Sequence, residues 1–595
     1  MIEPRIYRAA FLPALLGLVV AMFSLESPPR ALPQAAPADV LFEGSAAVNT
    51  VRSITERTPD RRHGSPGDRV VADRVVSAFR RFGLETSIDR SESGGERVVN
   101  VLGRRPGLSR RQVVVIAARD ATGVPDATGS AADTAALLEF GRVLEGRATR
   151  KTIVLASVGG ATRGDAGARR LAERIADPAP VDAVIVLSNL GAPRSRGPLL
   201  VDWSNDSTRG SLGLRRTAAN ALRNEVGEDG GGPGSPPAQI ARLAFPVGDG
   251  AQGVLLESGL DAIRVSASGE LAPPDDQRAL EDIDEERYEE FGRGALRLLF
   301  TLDEANRAAE HGPRSYVTLG ERVAPGWSLS LLALSLILPV LVASIDALAR
   351  ARRRGEPVLP WFAWVAAGIV PFAAGLAMAE FLVLVGLADD APPAPPDPGV
   401  AGVDGEAIGV LAGVVITIGL AWILTRTSFL RGGRPLPDSA SPGAGVAVTL
   451  VLCGFTLVSW AINPFIGLVL VLPLHLWMLA TLTEAGGRAR ILLALAGLLP
   501  AAAIAATYAV HLRMGPLDGA WYLFLLVTGH HVGLASALLG CVALGVLASV
   551  LAIAVAHARR REPGAPHVPG GGGRPAVDRR SVSGPMGPPL ERIRR

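Results

Sequence analysis

Residues 113 to 120 read VVVIAARD: an unbroken apolar run, Val113 to Ala117, followed by Ala118, Arg119 and Asp120. The run is too short for a stable helix and rich in β-branched residues, so it predicts a strand buried on both faces. Working outward, Val98 to Leu102, Ile153 to Ser157 and Val184 to Leu187 are runs of four or five residues of similar character. Helical patterns fill the gaps at residues 130 to 145 and 163 to 176. Buried strands alternating with helices predict an α/β domain with a mainly parallel sheet and flanking helices. The surrounding composition is that of a soluble domain from about 39 to 322, with GEDGGGPGSPP (227 to 237) as a flexible surface loop.

The whole chain is less soluble in character. Its 595 residues carry 60 Lys plus Arg against 57 Asp plus Glu, a net charge of +3, and 48% are hydrophobic, with mean hydropathy +0.29. That balance points to a membrane protein. Near-neutral charge without interleaved aromatic and basic residues argues against nucleic acid as a partner. The two cysteines, Cys453 and Cys541, lie inside apolar runs, which leaves neither a disulfide framework nor a cysteine zinc cluster. Lys151 is the sole lysine, and the abundance of Ala, Gly and Arg suggests a GC-rich bacterial genome.

Ala9 to Leu25 follows Arg5 and Arg8 and lacks a small-x-small cleavage pattern, so residues 1–25 are expected to be a signal anchor. Residues 26–38, rich in Pro and Ala, read as a linker, and 39–322 as the extracytoplasmic domain. Apolar blocks then follow at about 327–348, 361–387, 407–425, 444–462, 464–483 and 491–511, with a longer one at 521–557. Each of the first six is near the ~20 residues that cross ~30 Å of hydrocarbon.

Arginines mark alternate loops: Arg350, Arg352, Arg353 and Arg354, then Arg426, Arg431 and Arg434, then Arg488 and Arg490. Those loops are predicted to be cytoplasmic and residues 26–325 extracytoplasmic. The Arg559 to Arg561 cluster should be cytoplasmic too, so the last block reads as one span at about 534–557 behind an interfacial or re-entrant piece carrying His530 and His531. The sum is eight spans, seven of them in a membrane domain at 326–557, with both termini cytoplasmic. Residues 558–595, rich in Gly, Pro and Arg, are expected to be a disordered basic tail against anionic membrane lipid.

Six segments stand in order along the exported domain: HGSPGDRVVADRVVSAFRRFGLE (63 to 85), VVNVLGRRPG (98 to 107), VVVIAARD (113 to 120), AADTAALLEFGRVL (131 to 144), TIVLASVGGATRGDAGARRLAE (152 to 173) and VDAVIVLSNLG (181 to 191). Together with a strand-and-helix pattern near 245 to 300, they resemble the zinc-dependent exopeptidases of metallopeptidase family twenty-eight. The resemblance covers nearly the whole exported domain. It implies a zinc pair held by His and carboxylate ligands, an open position for water and a Glu as general base.

Followed position by position, the resemblance also implies that the ligands are missing. The family's His-x-Asp falls on Ala118-Arg119-Asp120. Its bridging Asp falls on Thr128 or Gly129, with Asp126 the nearest acid, and its Glu-Glu pair falls on Ala161-Thr162. The next metal Asp matches Ser188, and the final His belongs near 266 to 275, where SASGELAPPD has none. His63 and His311, the only histidines of the exported region, match no ligand and read as surface residues. Asp120, Asp126, Asp165 and Asp249 remain as acids that could line the old cleft, either for a cationic group or for turn chemistry.

An anchor, an exported peptidase-like domain and seven further spans is similar in layout to the attachment subunit of GPI transamidase and to the endoplasmic-reticulum metallopeptidases. That similarity implies a binding or accessory module without zinc, serving an exported polypeptide, a lipid-linked substrate or a membrane protein partner, and the missing ligands imply that it is not a functional metallopeptidase. The rival readings are an active membrane-bound zinc aminopeptidase and a transporter-like protein with the outer domain as a lid. Within the spans, Glu380 and His475 join His530 and His531 as polar candidates, because ionisable groups in hydrocarbon are expensive. Asn463-Pro464 reads as a tight outer turn between two spans.

Overall fold

The computed structural model describes residues 3–560 except 36–40, 94–95, 122–124, 176, 229, 232–233, 249, 389–401, 432–438 and 484. Seven strands form one sheet: β1 (Glu85–Ser93), β2 (Glu96–Arg105), β3 (Gln112–Ala118), β4 (Thr152–Val158), β5 (Val181–Ser188), β6 (Leu200–Val201) and β7 (Ala262–Ser266). Their order is β1-β2-β4-β3-β5-β7-β6. The central β4, β3, β5 and β7 are mutually parallel, while β1, β2 and β6 add antiparallel edges. The mainly parallel α/β architecture expected from the sequence is thus the one observed.

Strand alternation divides the core. Val113, Val115 and Ala117 of β3 face a large cluster with Ile153, Leu155, Ile185 and Leu187, joined by Val75, Phe79, Leu137, Phe140, Phe291 and Leu298 from the helices packed there. Val114 and Ile116 face the opposite cluster, with Val154, Ala156, Val184, Val186, Leu171 and Leu255. Both faces of the middle strands are therefore dry, which is why those strands read as continuous apolar runs. The edge strand β1, ETSIDRSES, is polar at most positions and gave no such signal.

The helices begin where their caps dictate. Ser65 Oγ accepts the Asp68 amide at 3.1 Å and Pro66 opens the helix Pro66–Arg81. Pro236 and Pro237, at the end of the glycine-rich stretch, start the helix Pro236–Ala244 rather than a loop.

Among the described residues, eight helices are long and apolar enough to cross a membrane: Pro4–Phe23, Gly326–Arg353, Leu359–Leu384, Gly405–Thr425, Pro442–Ile462, Pro464–Leu482, Gly487–His511 and Leu534–Ala558. This is the mark of a multi-pass membrane protein. The helix Pro516–Thr528 spans about 20 Å at 1.5 Å per residue, too little to cross. His530 and His531 follow it in the turn that leads to the last span. The tail beyond residue 560 lies outside the described residues.

The α/β domain is tied to the spans at several points. A hairpin of β8 (Tyr316–Leu319) and β9 (Arg322–Pro325) runs directly into Gly326. Glu26, just after the first span, exchanges two backbone hydrogen bonds of 2.9 Å with Val323 of that hairpin. Residues 32 and 35 then run along the domain, Leu32 N donating to Thr217 Oγ1 and Ala35 N to Thr301 Oγ1, each at 3.0 Å.

Candidate functional site

The parallel strands end together, with Ala118 of β3 opposite Val158 of β4 and Ser188 of β5 opposite Ser266 of β7. The carboxyl ends of a parallel sheet are where such folds place their ligands. Here they meet a set of buried polar side chains, most of which bond to the chain itself, with Arg61 Nε and Ser157 Oγ left without a partner among the described residues.

Arg119, immediately after β3, is only 1% exposed. Its Nε donates to Asp68 Oδ1 at 2.7 Å, and its terminal nitrogens donate to the carbonyls of Ser157 (3.2 Å) and Val99 (2.6 Å). Asp120 turns the other way. Its carboxylate accepts the backbone amides of Ala161 (3.0 Å) and Thr162 (2.9 Å) and the Thr162 hydroxyl (2.6 Å). Three positions singled out in the sequence, Asp120, Ala161 and Thr162, therefore converge, with the acid capping the short turn Ala161–Arg163.

Asp126 is also engaged locally. It sits in the left-handed region (φ 47°), and its Oδ2 accepts the Ser130 amide at 2.8 Å and the Ser130 hydroxyl at 2.7 Å. A side chain at Gly129 would collide with that carboxylate, since a Cβ there would lie 2.5 Å from Asp126 Oδ1. Thr128 is fully buried, its hydroxyl on the Gln277 carbonyl at 2.9 Å. Arg61, also fully buried, donates to the Pro125 carbonyl (2.8 Å) and the Ser130 hydroxyl (3.2 Å). Burial draws its guanidinium below the ordinary arginine range, and the charges of Asp126 and Asp120 oppose that.

Asp133 received no attention in the sequence, yet it is buried with its carboxylate on the amides of Asn189 (2.9 Å) and Leu190 (3.0 Å). Burial pushes its carboxyl up to about 7 in spite of those two bonds. Ser188 is half-buried and accepts from Asn189 Nδ2 at 3.2 Å. His63 is half-buried rather than open: a methyl group on Gly160 would come within 3.3 Å of its Cε1. Asp165, left-handed at φ 51°, precedes the helix Ala166–Arg174. Asp249 lies outside the described residues. Among the described residues, no group of three or more His, Cys, Asp or Glu side chains is arranged to hold a metal ion.

The loop after β7 reaches away from the strand ends to the spans. Glu270 pairs with Arg242 of the helix Pro236–Ala244 and accepts from His511 Nε2 at 2.9 Å, at the end of the span Gly487–His511. Burial pushes the Glu270 carboxyl up, but the Arg242 charge and the His511 bond outweigh it and hold it at about 2. Beside this contact, Asn463 Nδ2 donates to the carbonyls of Leu243 (2.8 Å) and Ala244 (3.2 Å) while its Oδ1 accepts the Phe465 amide at 2.9 Å. The Asn463 turn is thus also a seat for the α/β domain.

The membrane candidates do not gather. His475 bridges helices, with Tyr7 Oη at 2.6 Å from Nδ1 and the Leu336 carbonyl at 2.9 Å from Nε2. Glu380 is half-buried near the end of the span Leu359–Leu384, and His530 is exposed with φ 57°. Arg490, counted in the sequence as a loop charge, is buried and donates to the carbonyls of Ala480 (2.7 Å), Thr481 (3.3 Å) and Ala485 (3.0 Å).

No family model matches the chain, and none of the curated proteins compared with it does. Solved structures do. The zinc aminopeptidase BSAP from Bacillus subtilis is 12% identical, with a TM-score of 0.37, covering 47% of this chain and 98% of that one. A glutaminyl cyclase from an Acidobacteriales bacterium is 16% identical (TM-score 0.35), covering 46% and 97%. A Zn-dependent exopeptidase from Parabacteroides distasonis is 15% identical (TM-score 0.33), covering 45% and 99%. The likeness is one of fold alone.

Sequence reasoning missed Arg61, Asp68, Asp133 and the Arg242, Glu270 and His511 cluster. One signal was present: an arginine directly after a doubly buried strand needs a buried partner, because charges are seldom buried unpaired.

Proposed function

We propose that residues 26–325 form a peptidase-like binding module on the outer side of the membrane, with a cleft that no longer holds zinc. In this reading the protein is an accessory that presents an exported polypeptide or lipid-linked substrate to a membrane partner. The observation that carries it is the engagement of Asp120, which matches the acid that orients the family's missing His ligand, with the amides of Ala161 and Thr162.

The residues at the strand ends do not fit a zinc pair. Such a pair needs several anionic or imidazole ligands and an open position for water. Here Asp68 is tied to Arg119, Asp126 to Ser130 and Asp133 to two amides. The buried guanidiniums of Arg61 and Arg119 add positive charge beside those acids, where a dication would be repelled.

The sidedness is supported from within the fold. Asn463 and His511, on two separate loops between spans, both contact the α/β domain, so those loops share its side. Arg350 pairs with Glu3 at 3.6 Å, which sets the first residues beside an arginine-rich loop. With arginine loops cytoplasmic, residues 26–325 lie outside, Pro4–Phe23 acts as a signal anchor, and both termini face the cytoplasm. The layout resembles that of the attachment subunit of GPI transamidase, and the presenting role is proposed on that resemblance.

The test is turnover. The purified chain, supplied with zinc and aminoacyl or peptide substrates, is expected to hydrolyse none of them, with Asp120→Asn indistinguishable from wild type. Zinc-dependent hydrolysis that Asp120→Asn abolishes would restore the aminopeptidase reading.

A further inference from the structure

Away from the strand ends, the helices Gly44–Arg57, Pro66–Arg81 and Ala132–Val143 enclose a cavity of about 510 Å³. That lies within the range of roughly 300–1,000 Å³ of small-molecule sites. Arg57, Arg74, Arg81 and Arg142 line it, over an apolar part that includes Phe82 and Leu138.

Arg142 is neutralised by Glu139, with Nε to Oε2 at 2.8 Å. The other three are not. Arg74 donates to Ser53 Oγ at 2.8 Å, and among the described residues no carboxylate forms an ion pair with Arg57, Arg74 or Arg81. Burial lowers the Arg74 guanidinium from its ordinary range, and the neighbouring charges of Arg57 and Arg81 lower it further. Three like charges gathered at one cavity repel one another, and an anion seated among them would relieve that repulsion. Guanidinium groups are also the side chains best suited to phosphate oxygens, through forked, charge-assisted hydrogen bonds.

We propose that this cavity binds a small polyanion of the pyrophosphate class, held by Arg57, Arg74 and Arg81, with room for an apolar substituent against Phe82 and Leu138. The site is independent of the strand-end cleft and does not rest on the reading given for it.

The experiment is calorimetric titration of the full chain in detergent with inorganic pyrophosphate, at low and at physiological ionic strength. Saturable binding is expected, weaker at higher salt. The double variant Arg74→Gln/Arg81→Gln should weaken it at least about tenfold, the scale of a lost charge-assisted contact. Arg110→Gln, an exposed arginine in the turn before β3, should leave it unchanged. Arg57→Gln alters an exposed side chain, so a preserved thermal transition with weakened binding separates loss of ligand from loss of fold. Absence of saturable binding to the folded wild-type chain, or binding that Arg57→Gln and the double variant leave intact, would overturn the proposal.

Discussion

The strand ends and the helical cavity of the same domain treat charge in opposite ways. At the strand ends, Asp120, Asp126 and Asp133 each have their donors supplied by nearby amides or hydroxyls, and Asp68 has Arg119. At the cavity, Arg57, Arg74 and Arg81 come together, and among the described residues no carboxylate pairs with them, Glu139 being taken up by Arg142. A polar group already satisfied by its own chain has little left to offer a ligand, whereas an unanswered charge has most of its interaction energy still available. Place in the fold thus nominates a site, and the state of its hydrogen bonds decides what it can bind.

Breaking the strand-end pairing should have the largest effect. Asp68→Ala leaves the Arg119 guanidinium buried without its partner, which costs about 3–5 kcal/mol. Thermal or denaturant unfolding of the chain would measure it, and a loss under about 1 kcal/mol would mean that the pair does not hold the strand ends. Asp120→Ala removes the acceptor of three bonds and should cost about 1–3 kcal/mol. Hydrogen exchange should speed up at the Ala161 and Thr162 amides, and unchanged exchange there would contradict the capping role.

The base of the domain sharpens the contrast, because Glu270 is a satisfied carboxylate with one partner, Arg242, in the domain and another, His511, at the end of a span. Its folded pKa, about 2, lies below the ordinary 4.5, so the stability it contributes is present above 4.5 and is lost as pH falls from there toward 2. Proteolytic protection of residues 236–244 should follow that window in the wild type and lose that dependence in Glu270→Gln. The smallest effect is expected for Asn463→Ala, at about 1 kcal/mol for the bonds to Leu243 and Ala244, read as faster exchange near the helix end.

The sheet was legible because doubly buried strands have nowhere to place a polar residue, as VVVIAA and TIVLASV show. The spans were legible for the same reason in hydrocarbon, and all eight fall on the expected segments. The polar edge β1 carried no apolar period, and Pro236–Ala244 was hidden behind a glycine-rich stretch whose prolines read equally well as a loop. At the strand ends, sequence order brought Asp120, Ala161 and Thr162 to attention, but their mutual bonding depends on strand register. Arg61 and Asp133 were not legible, since each is defined by partners far away in sequence, Pro125 for the one and Leu190 for the other. The clustering of Arg57, Arg74 and Arg81 likewise appears only when two helices are laid side by side.

The central claim is that the strand-end cleft has no capacity for paired metal. The direct measurement is the zinc content of the full chain, purified in detergent without chelator and analysed by elemental mass spectrometry after exposure to zinc and dialysis. A trace is expected, the same in wild type and in Asp120→Ala. One or two zinc ions per chain in the wild type, lost in Asp120→Ala while the fold persists, would contradict it.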